Sequence, residues 1–247
     1  MAARVRLYIE TPLYGGRELD LDESRSHYLS NVMKLAAGDA FLGFDGRSGE
    51  FEMQIAAVSK KHCRVIVGER LREFQPVPDI WLLFAPVKKD QTDFIIQKAV
   101  ELGVRRLQPV ITRRTITDKV RRERFRAQGI EAAEQCRRLD VPEINEAQSL
   151  EKVLQNWDKS RRLFFMDETG HGLPVRRAFA AAAAPAAILV GPEGGFSAEE
   201  LQRLRGLEFA QGVTLGPRIL RAETAVAAAL SCWQSLSGDW ADYSEDR

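Results

Sequence analysis

The chain is 247 residues long, 45% hydrophobic and 29% charged, and its 36 Lys and Arg against 35 Asp and Glu leave a formal net charge of +1. This composition supports a buried core in one large or two smaller domains, and it excludes a globally basic nucleic-acid binder while leaving room for a local basic patch. No apolar leader follows Met1, and the longest apolar run, 178–190, holds Pro185 and is too short for a bilayer, so a cytoplasmic protein without signal or membrane span is expected.

The first seventy or so residues read as short strands. Arg4 to Ile9 alternates, and Ala40 to Phe44 runs into Asp45-Gly46, a strong hairpin signal. Glu50 to Val58 and Cys63 to Val67 complete a meander. One helix is expected over Ser26 to Lys34, capped by Ser24 or Ser26, with Tyr28, Val32 and Leu35 as its apolar stripe. A small β-barrel fits this pattern. Gln75-Pro76-Val77-Pro78 then stiffens the chain, and the domain boundary is drawn there, giving 1–75 and 76–247.

Beyond it the pattern becomes β-α alternation. Ile80 to Ala85 is a continuous apolar run, as in a strand buried on both faces. Asp90, the expected N-cap, opens a helix to Gly103 with Phe94, Ile95, Ala99 and Leu102 on one side. Strands follow at Leu107–Ile111, Val141–Ile144 and Leu163–Met166, with helices at Glu123–Arg138 and Leu150–Trp157. Two strand–turn–helix units end the chain, and repeated units of this kind argue for a mostly parallel sheet covered on both faces.

Both terminal turns are stripped of bulk. Gly191-Pro192-Glu193-Gly194-Gly195-Phe196-Ser197 follows the run 186–190, and Leu215-Gly216-Pro217-Arg218-Ile219-Leu220-Arg221-Ala222-Glu223-Thr224-Ala225 follows Val213. Glycine lets backbone approach a ligand closely, and ligands of open α/β sheets sit at the carboxyl ends of strands. Ser197 and Glu200 form a capping box, a structural role. Arg218, Arg221 and Glu223 crowd into six residues among Leu215, Ile219, Leu220 and Ala225, and charges in apolar surroundings need a task or a partner.

The run 113–126 holds seven basic residues (Arg113, Arg114, Lys119, Arg121, Arg122, Arg124 and Arg126) against two acidic ones, and Arg137-Arg138 follow one helix later. In a chain otherwise balanced this favours a phosphate-binding surface over a solvated face. His27 and Lys34 fit RNA contact and a solvent-facing role equally well.

Absences narrow the chemistry. No Gly-x-Gly-x-x-Gly follows the run at 80–85, no Gly-Lys pair exists, and neither His-Glu-x-x-His nor Gly-x-Ser-x-Gly occurs, which argues against a Rossmann cofactor site, a nucleoside triphosphatase, a zinc hydrolase and a serine hydrolase. Cys63, Cys136 and Cys232 lack paired spacing and the three histidines lack ligand spacing, so free thiols and no metal site are expected.

Five ordered motifs carry a resemblance covering nearly the whole chain. They are His27-Tyr28-Leu29 through Val32-Met33-Lys34 with Gly38-Asp39; Phe94-x-x-Gln97-Lys98-x-x-Glu101-Leu102-Gly103-Val104; Glu134-Gln135-Cys136-Arg137-Arg138 with Val141-Pro142-Glu143-Ile144; Gly191 to Gly195; and Leu215 to Arg221. The chain resembles RsmE-type ribosomal RNA methyltransferases, which methylate N3 of a uracil in 16S rRNA. The resemblance implies an N-terminal PUA-like RNA-binding β-barrel and a C-terminal SPOUT α/β domain with a trefoil knot, a rare exception to unknotted folds. It also implies S-adenosylmethionine as cofactor, a homodimer, and 16S rRNA in the 30S subunit as partner.

On this reading Met166, Gly191, Pro192, Glu193, Gly194, Gly195, Leu215, Gly216, Pro217, Ile219, Leu220, Thr224 and Ala225 hold the cofactor. Arg221 stabilises charge on the substrate, Glu223 acts as base or orients Arg221, and Arg113, Arg114, Lys119, Arg121, Arg122, Arg124, Arg137, Arg138, His27 and Lys34 bind RNA. The chain departs from the family pattern at Ala222, where a threonine is usual, and at Lys34, where an arginine is usual. A SPOUT ribose 2′-O-methyltransferase and a non-enzymatic RNA-binding or ribosome-assembly factor are the alternatives.

Overall fold

A computed structural model describes residues 5–59, 61–117, 120–180, 182 and 184–241. The chain divides into two compact units, Met1–Pro76 with Ala133–Val141, and Val77–Ala132 with Pro142–Arg247.

The first unit is built on five strands: β1 (Arg6–Tyr8), β2 (Glu18–Leu21), β3 (Ala40–Phe44), β4 (Glu50–Val58) and β5 (Cys63–Arg72). They form one sheet in the order β1-β3-β4-β5-β2, with β1 parallel to β3 and the other pairs antiparallel. Alternation sets the core: Phe51, Met53 and Ile55 of β4 and Cys63, Val65 and Val67 of β5 are buried on one face. The Asp45-Gly46 turn forms as the sequence implies. The Asp45 carboxylate, 2% exposed, accepts from the N–H groups of Leu13, Arg47 and Ser48 at 2.9, 2.9 and 2.7 Å and from the Ser48 hydroxyl at 2.7 Å. Burial alone would raise its pKa, but these donors outweigh burial and hold it below the ordinary carboxylate value.

The segment 133–141 belongs to this unit although a cut at residue 75 leaves it out. Arg6 anchors it. Its guanidinium donates to the carbonyls of Ala133, Glu134 and Arg138 at 3.0, 2.8 and 3.2 Å, pairs with Glu50 at 2.6 Å, and lies 4.8 Å from the Phe44 ring centre. The Glu134 carboxylate accepts from the Tyr8 N–H at 2.9 Å.

The helix near residue 26 differs from expectation. It is a short α1 (Glu23–His27) capped by Asp22, whose carboxylate accepts from the Arg25 N–H, and it continues as a π turn over Tyr28–Val32. Ser24 and Ser26 are not the cap. Of the expected stripe only Leu35 packs on the core: Tyr28 and Val32 are 37% and 57% exposed, whereas Leu29, outside the stripe, is fully buried. An i→i−5 bond from the Met33 N–H to the Tyr28 carbonyl widens the turn and breaks the 3.6-residue spacing.

The second unit follows β-α alternation: β6 (Ile80–Phe84), α2 (Lys89–Glu101), β7 (Arg106–Ile111), α3 (Arg122–Cys136, whose last residues enter the first unit), β8 (Glu143–Ile144), β9 (Gln148–Ser149), α4 (Leu150–Gln155), β10 (Arg162–Met166), β11 (Leu173–Pro174), α5 (Val175–Ala180), β12 (Ala186–Val190), α6 (Ala198–Arg205), β13 (Ala210–Thr214) and α7 (Ala222–Ser237). The sheet runs β11-β13-β10-β12-β6-β7-β8 with β9 on β7, and every pairing is parallel. All five residues of β12 are buried, as its unbroken apolar sequence requires. One face packs on α2, α5 and α7 through Ile96, Ala99, Phe179, Val226, Leu230 and Trp233. The other packs on α4 and α6 through Leu150, Leu154, Leu201 and Leu204.

Two details of α2 correct the sequence reading. Asp90 lies in its first turn, with Lys88 as N-cap, and Phe94 is 39% exposed while Thr92, Ile95, Ile96, Ala99 and Val100 are buried. Thr92 is buried without penalty because its hydroxyl pairs with the Val87 N–H and carbonyl at 3.1 and 3.0 Å.

Candidate functional site

Strands β12, β10 and β13 are neighbours in the parallel sheet, so the chain leaves their carboxyl ends side by side. The three connections that emerge there are 167–172, 191–197 and 215–221. The strand order brings together what the sequence holds fifty residues apart.

The turn after β12 is tight. The Gly195 N–H donates to the Pro192 carbonyl at 2.8 Å, and Gly195 sits at φ +68°, a left-handed conformation that glycine adopts without penalty. A Cβ there would land on the Glu168 carboxylate, which accepts from the Phe196 N–H at 3.3 Å. Pro192 is buried, while Glu193 and Gly194 are exposed. Ser197 and Glu200 make the expected capping box for α6. Glu200 also accepts from the Arg113 N–H at 2.9 Å, and Arg114 donates to the Gly194 carbonyl at 2.8 Å. The start of the basic run is thereby tied to the first glycine turn.

The second turn is open. Gly216 has φ +113°, and no atom lies within 4 Å of where its Cβ would be. Leu215 and Leu220 are half-buried, Gly216, Pro217 and Arg218 are exposed, and Ile219 is 86% exposed. Arg221 is the N-cap of α7 in extended backbone, its side chain exposed and free of any cap bond. Glu223 stands in the first turn of that helix, where the helix dipole favours its negative charge. Its Oε2 is buried with no hydrogen-bond partner, a costly state for a carboxylate oxygen unless something arrives to satisfy it. Thr224 is exposed, but Ala225 is 8% exposed and belongs to the core beneath α7. Met166, at the end of β10, is 7% exposed.

Sequence reasoning missed the connection after β10. Asp167 is 3% exposed and accepts from Thr169 and from Arg205, the latter at 2.8 Å. Burial works to raise its pKa, but the Thr169 and Arg205 donors prevail and lower it. With Glu168 beneath Gly195, this connection braces both the first glycine turn and α6. No local motif announces it, because its partners lie 28 and 38 residues away.

The basic residues do not act alike. Arg113, Arg114, Arg121 and Arg122 are exposed, but Arg122 also donates to the Ile144 carbonyl at 2.7 Å, and Arg124 is paired with Asp93. Lys119 lies outside the described residues. Arg137 is exposed at φ +63°, whereas Arg138 is 8% exposed and paired with Asp140 at 2.6 Å. Arg138 is therefore a structural ion pair of the first unit, not an available phosphate contact. His27 and Lys34 are both exposed on the first unit.

Among the described residues no group of three or more His, Cys, Asp or Glu is placed to hold a metal ion, and no helix is long and apolar enough to cross a membrane.

Comparison with known proteins gives these features a family. The family described as RNA methyltransferase domain matches residues 74–234, and the RNA methyltransferase PUA domain matches residues 21–68. The chain is 31% identical to ribosomal RNA small subunit methyltransferase E of Rickettsia conorii, over 92% of this chain and 93% of that one. It is 32% identical to the Bacillus subtilis protein of the same name, over 83% and 85%. Among solved structures, a methyltransferase from Legionella pneumophila with bound cofactor SAM superposes with a TM-score of 0.87 at 30% identity, covering 96% of this chain and all of that one. Ribosomal RNA small subunit methyltransferase E from Neisseria gonorrhoeae, bound to S-adenosyl methionine, superposes with a TM-score of 0.85 at 29% identity and the same coverage. With both domains matched in order along nearly its whole length, the chain belongs to the ribosomal RNA small subunit methyltransferase E family of RNA methyltransferases.

Proposed function

We propose that this chain transfers a methyl group from S-adenosylmethionine to N3 of a uracil in 16S rRNA on the small ribosomal subunit. One observation carries the reading: two glycine turns leave the carboxyl ends of β12 and β13, on either side of β10 in the parallel sheet, and the second leads directly into an exposed Arg221 and an unsatisfied Glu223 oxygen. Family membership and the S-adenosylmethionine bound in the similar structures support it.

The donor set suits such a cofactor. The open Gly216 backbone, the turn at 191–195 and the apolar edges of Leu215, Ile219 and Leu220 offer main-chain groups and a non-polar wall to an adenosyl group. Met166 closes the floor, and Pro192, Glu193, Pro217 and Thr224 border the same turns. When bound, S-adenosylmethionine supplies an electrophilic methyl on a sulfonium.

The protein must do the rest. The imide N–H of uracil is weakly acidic, so its proton must leave and the charge spreading onto the flanking carbonyls must be stabilised. Arg221 is free to place its guanidinium against that charge. Glu223, with one oxygen unsatisfied, accepts the proton or orients Arg221. The target base must be unpaired or leave its stack to reach the site. The exposed members of the basic run hold phosphate. A knotted C-terminal segment, a homodimer and a cytoplasmic place of work belong to the same reading. So do an RNA-binding role for the first unit and a catalytic role for the second, with 133–141 counted in the first.

Single-turnover methylation of unmethylated 30S subunits tests the proposal. Arg221→Ala should slow transfer by about 10²–10³-fold, the cost of removing one oxyanion donor, while calorimetry finds S-adenosylmethionine still bound. An unchanged rate with bound cofactor removes Arg221 from the chemistry.

A further inference from the structure

The first glycine turn is held from two sides. Its Phe196 N–H donates to Glu168 of the connection after β10 at 3.3 Å. From the connection after β7, the Arg114 guanidinium donates to the Gly194 carbonyl at 2.8 Å. The Gly195 N–H already closes on the Pro192 carbonyl at 2.8 Å, so the peptide between Gly194 and Gly195 is fixed at both its carbonyl and its N–H. Arg114 also packs there: a Cβ on Gly194 would lie 3.4 and 3.5 Å from its Cβ and Cδ, so its stem runs along bare glycine backbone. Among the described residues the N–H groups of Glu193 and Gly194 make no hydrogen bond, which leaves main-chain donors in a turn whose shape is set.

The segment that carries Arg114 is itself rigid. The Thr112 N–H donates to the Thr115 hydroxyl at 2.9 Å, the Thr115 N–H returns to the Thr112 carbonyl at 3.2 Å, and the Arg113 N–H is tied to Glu200 at 2.9 Å. The charges around it do not suit a phosphate. Asp167 is matched by Arg205 at 2.8 Å, and His171 is engaged by the Thr169 hydroxyl at 2.9 Å. In the turn, the first turn of α6 and the two connections, this leaves Glu168, Glu193, Glu199 and Glu200 against Arg113 and Arg114. The Ser197 hydroxyl, and after it the nearby Arg113 and Arg114, hold the Glu199 pKa below its ordinary value. Four carboxylates beside two guanidinium groups repel an anion and favour a ligand that carries a cation, as a sulfonium does.

We propose that Arg114 is a positioning residue of the cofactor site: by fixing the Gly194 carbonyl it presets the turn at 191–195 to receive S-adenosylmethionine. Without that bond two adjacent glycines leave the backbone free, and the turn must be ordered as the cofactor binds. The apparent affinity then falls with the fraction of time spent in the competent shape. This role rests on S-adenosylmethionine being bound at the turn, and it removes Arg114 from the phosphate contacts of the basic run.

The experiment is calorimetric titration of S-adenosylmethionine into the full-length chain. Arg114→Met keeps an unbranched stem against Gly194 and removes the donor. It should weaken cofactor binding by about tenfold, the lower end for a hydrogen bond from a charged group because Arg114 is exposed. Arg114→Lys restores a charged donor and should recover most of that loss. In steady-state methylation of unmethylated 30S subunits, Arg114→Met should raise KM for S-adenosylmethionine by about tenfold and leave KM for the subunits unchanged. Its melting temperature without cofactor should fall by no more than about 4 °C, the scale of one surface bond in a chain of this length.

Wild-type cofactor affinity in Arg114→Met would overturn the positioning role alone. So would a loss that Arg114→Lys does not reduce, because the donor would then not be what matters. A raised KM for the subunits, with a smaller salt slope for RNA binding and unchanged cofactor affinity, would return Arg114 to the phosphate contacts. Failure of the wild-type protein to bind S-adenosylmethionine would overturn the cofactor reading and this role with it.

Discussion

Replacing Gly195 by alanine separates two demands on the first glycine turn. At φ +68° an L-residue costs roughly 1–2 kcal/mol. The added Cβ also displaces the Glu168 carboxylate, and with it the acceptor of the Phe196 N–H at 3.3 Å. A hydrogen bond of that length to a charged group contributes about 1 kcal/mol. Gly195→Ala should therefore cost about 2–3 kcal/mol, which for a chain of this size lowers the melting temperature by roughly 4–12 °C. Glu168 is a flexible side chain, so the second cost is removable. In a Glu168→Ala background the same substitution should cost only the backbone part, leaving a coupling of about 1 kcal/mol in a double-mutant cycle. Differential scanning calorimetry reads the stability, and titration with S-adenosylmethionine reads whether the turn still binds. Full additivity of the two substitutions would refute the contact with Glu168. Wild-type stability and affinity in Gly195→Ala would refute the requirement for glycine altogether.

Three further predictions follow from the charges. Asp45 has a lowered pKa in the fold, so its contribution is present above the unfolded value of about 3.8 and is lost as pH falls below it. The melting temperature of the wild type should drop across that window more steeply than that of Asp45→Asn, and parallel curves would show that Asp45 adds no linkage. Arg121→Glu should weaken RNA binding at matched salt without altering the melting temperature. Arg124→Glu, which sets a carboxylate beside Asp93, should instead lower the melting temperature, so equal melting temperatures would show that the Arg124–Asp93 pair is only a surface contact.

The sequence by itself determined whatever depends on short separations. The meander reading placed β4 at Glu50–Val58, as observed, and the unbroken apolar run at 80–85 identified the buried strand β6. Asp45-Gly46 specified its turn, and Ser197 with Glu200 specified the cap of α6, because side chains two or three residues apart meet whatever the rest of the chain does. The motif match supplied the family. Strands such as β2, β9 and β11 escaped notice because four or two residues carry no readable period.

Tertiary structure decided everything that rests on distant partners. Only the strand order sets β10, β12 and β13 side by side and so joins the two glycine clusters into one candidate site. Only folding brings Arg6 to the carbonyls of 133–138, buries Arg138 against Asp140, and seats Glu168 under Gly195. The π turn belongs here too. Local spacing favoured an α-helix with Tyr28 and Val32 inward, yet the fold buries Leu29 and turns Tyr28 and Val32 to solvent. The physical reason is the same in each case. A chain encodes local geometry through neighbours in sequence, whereas the energy of a buried ion pair, a braced turn or an exposed π turn depends on groups that become neighbours only when the chain has folded.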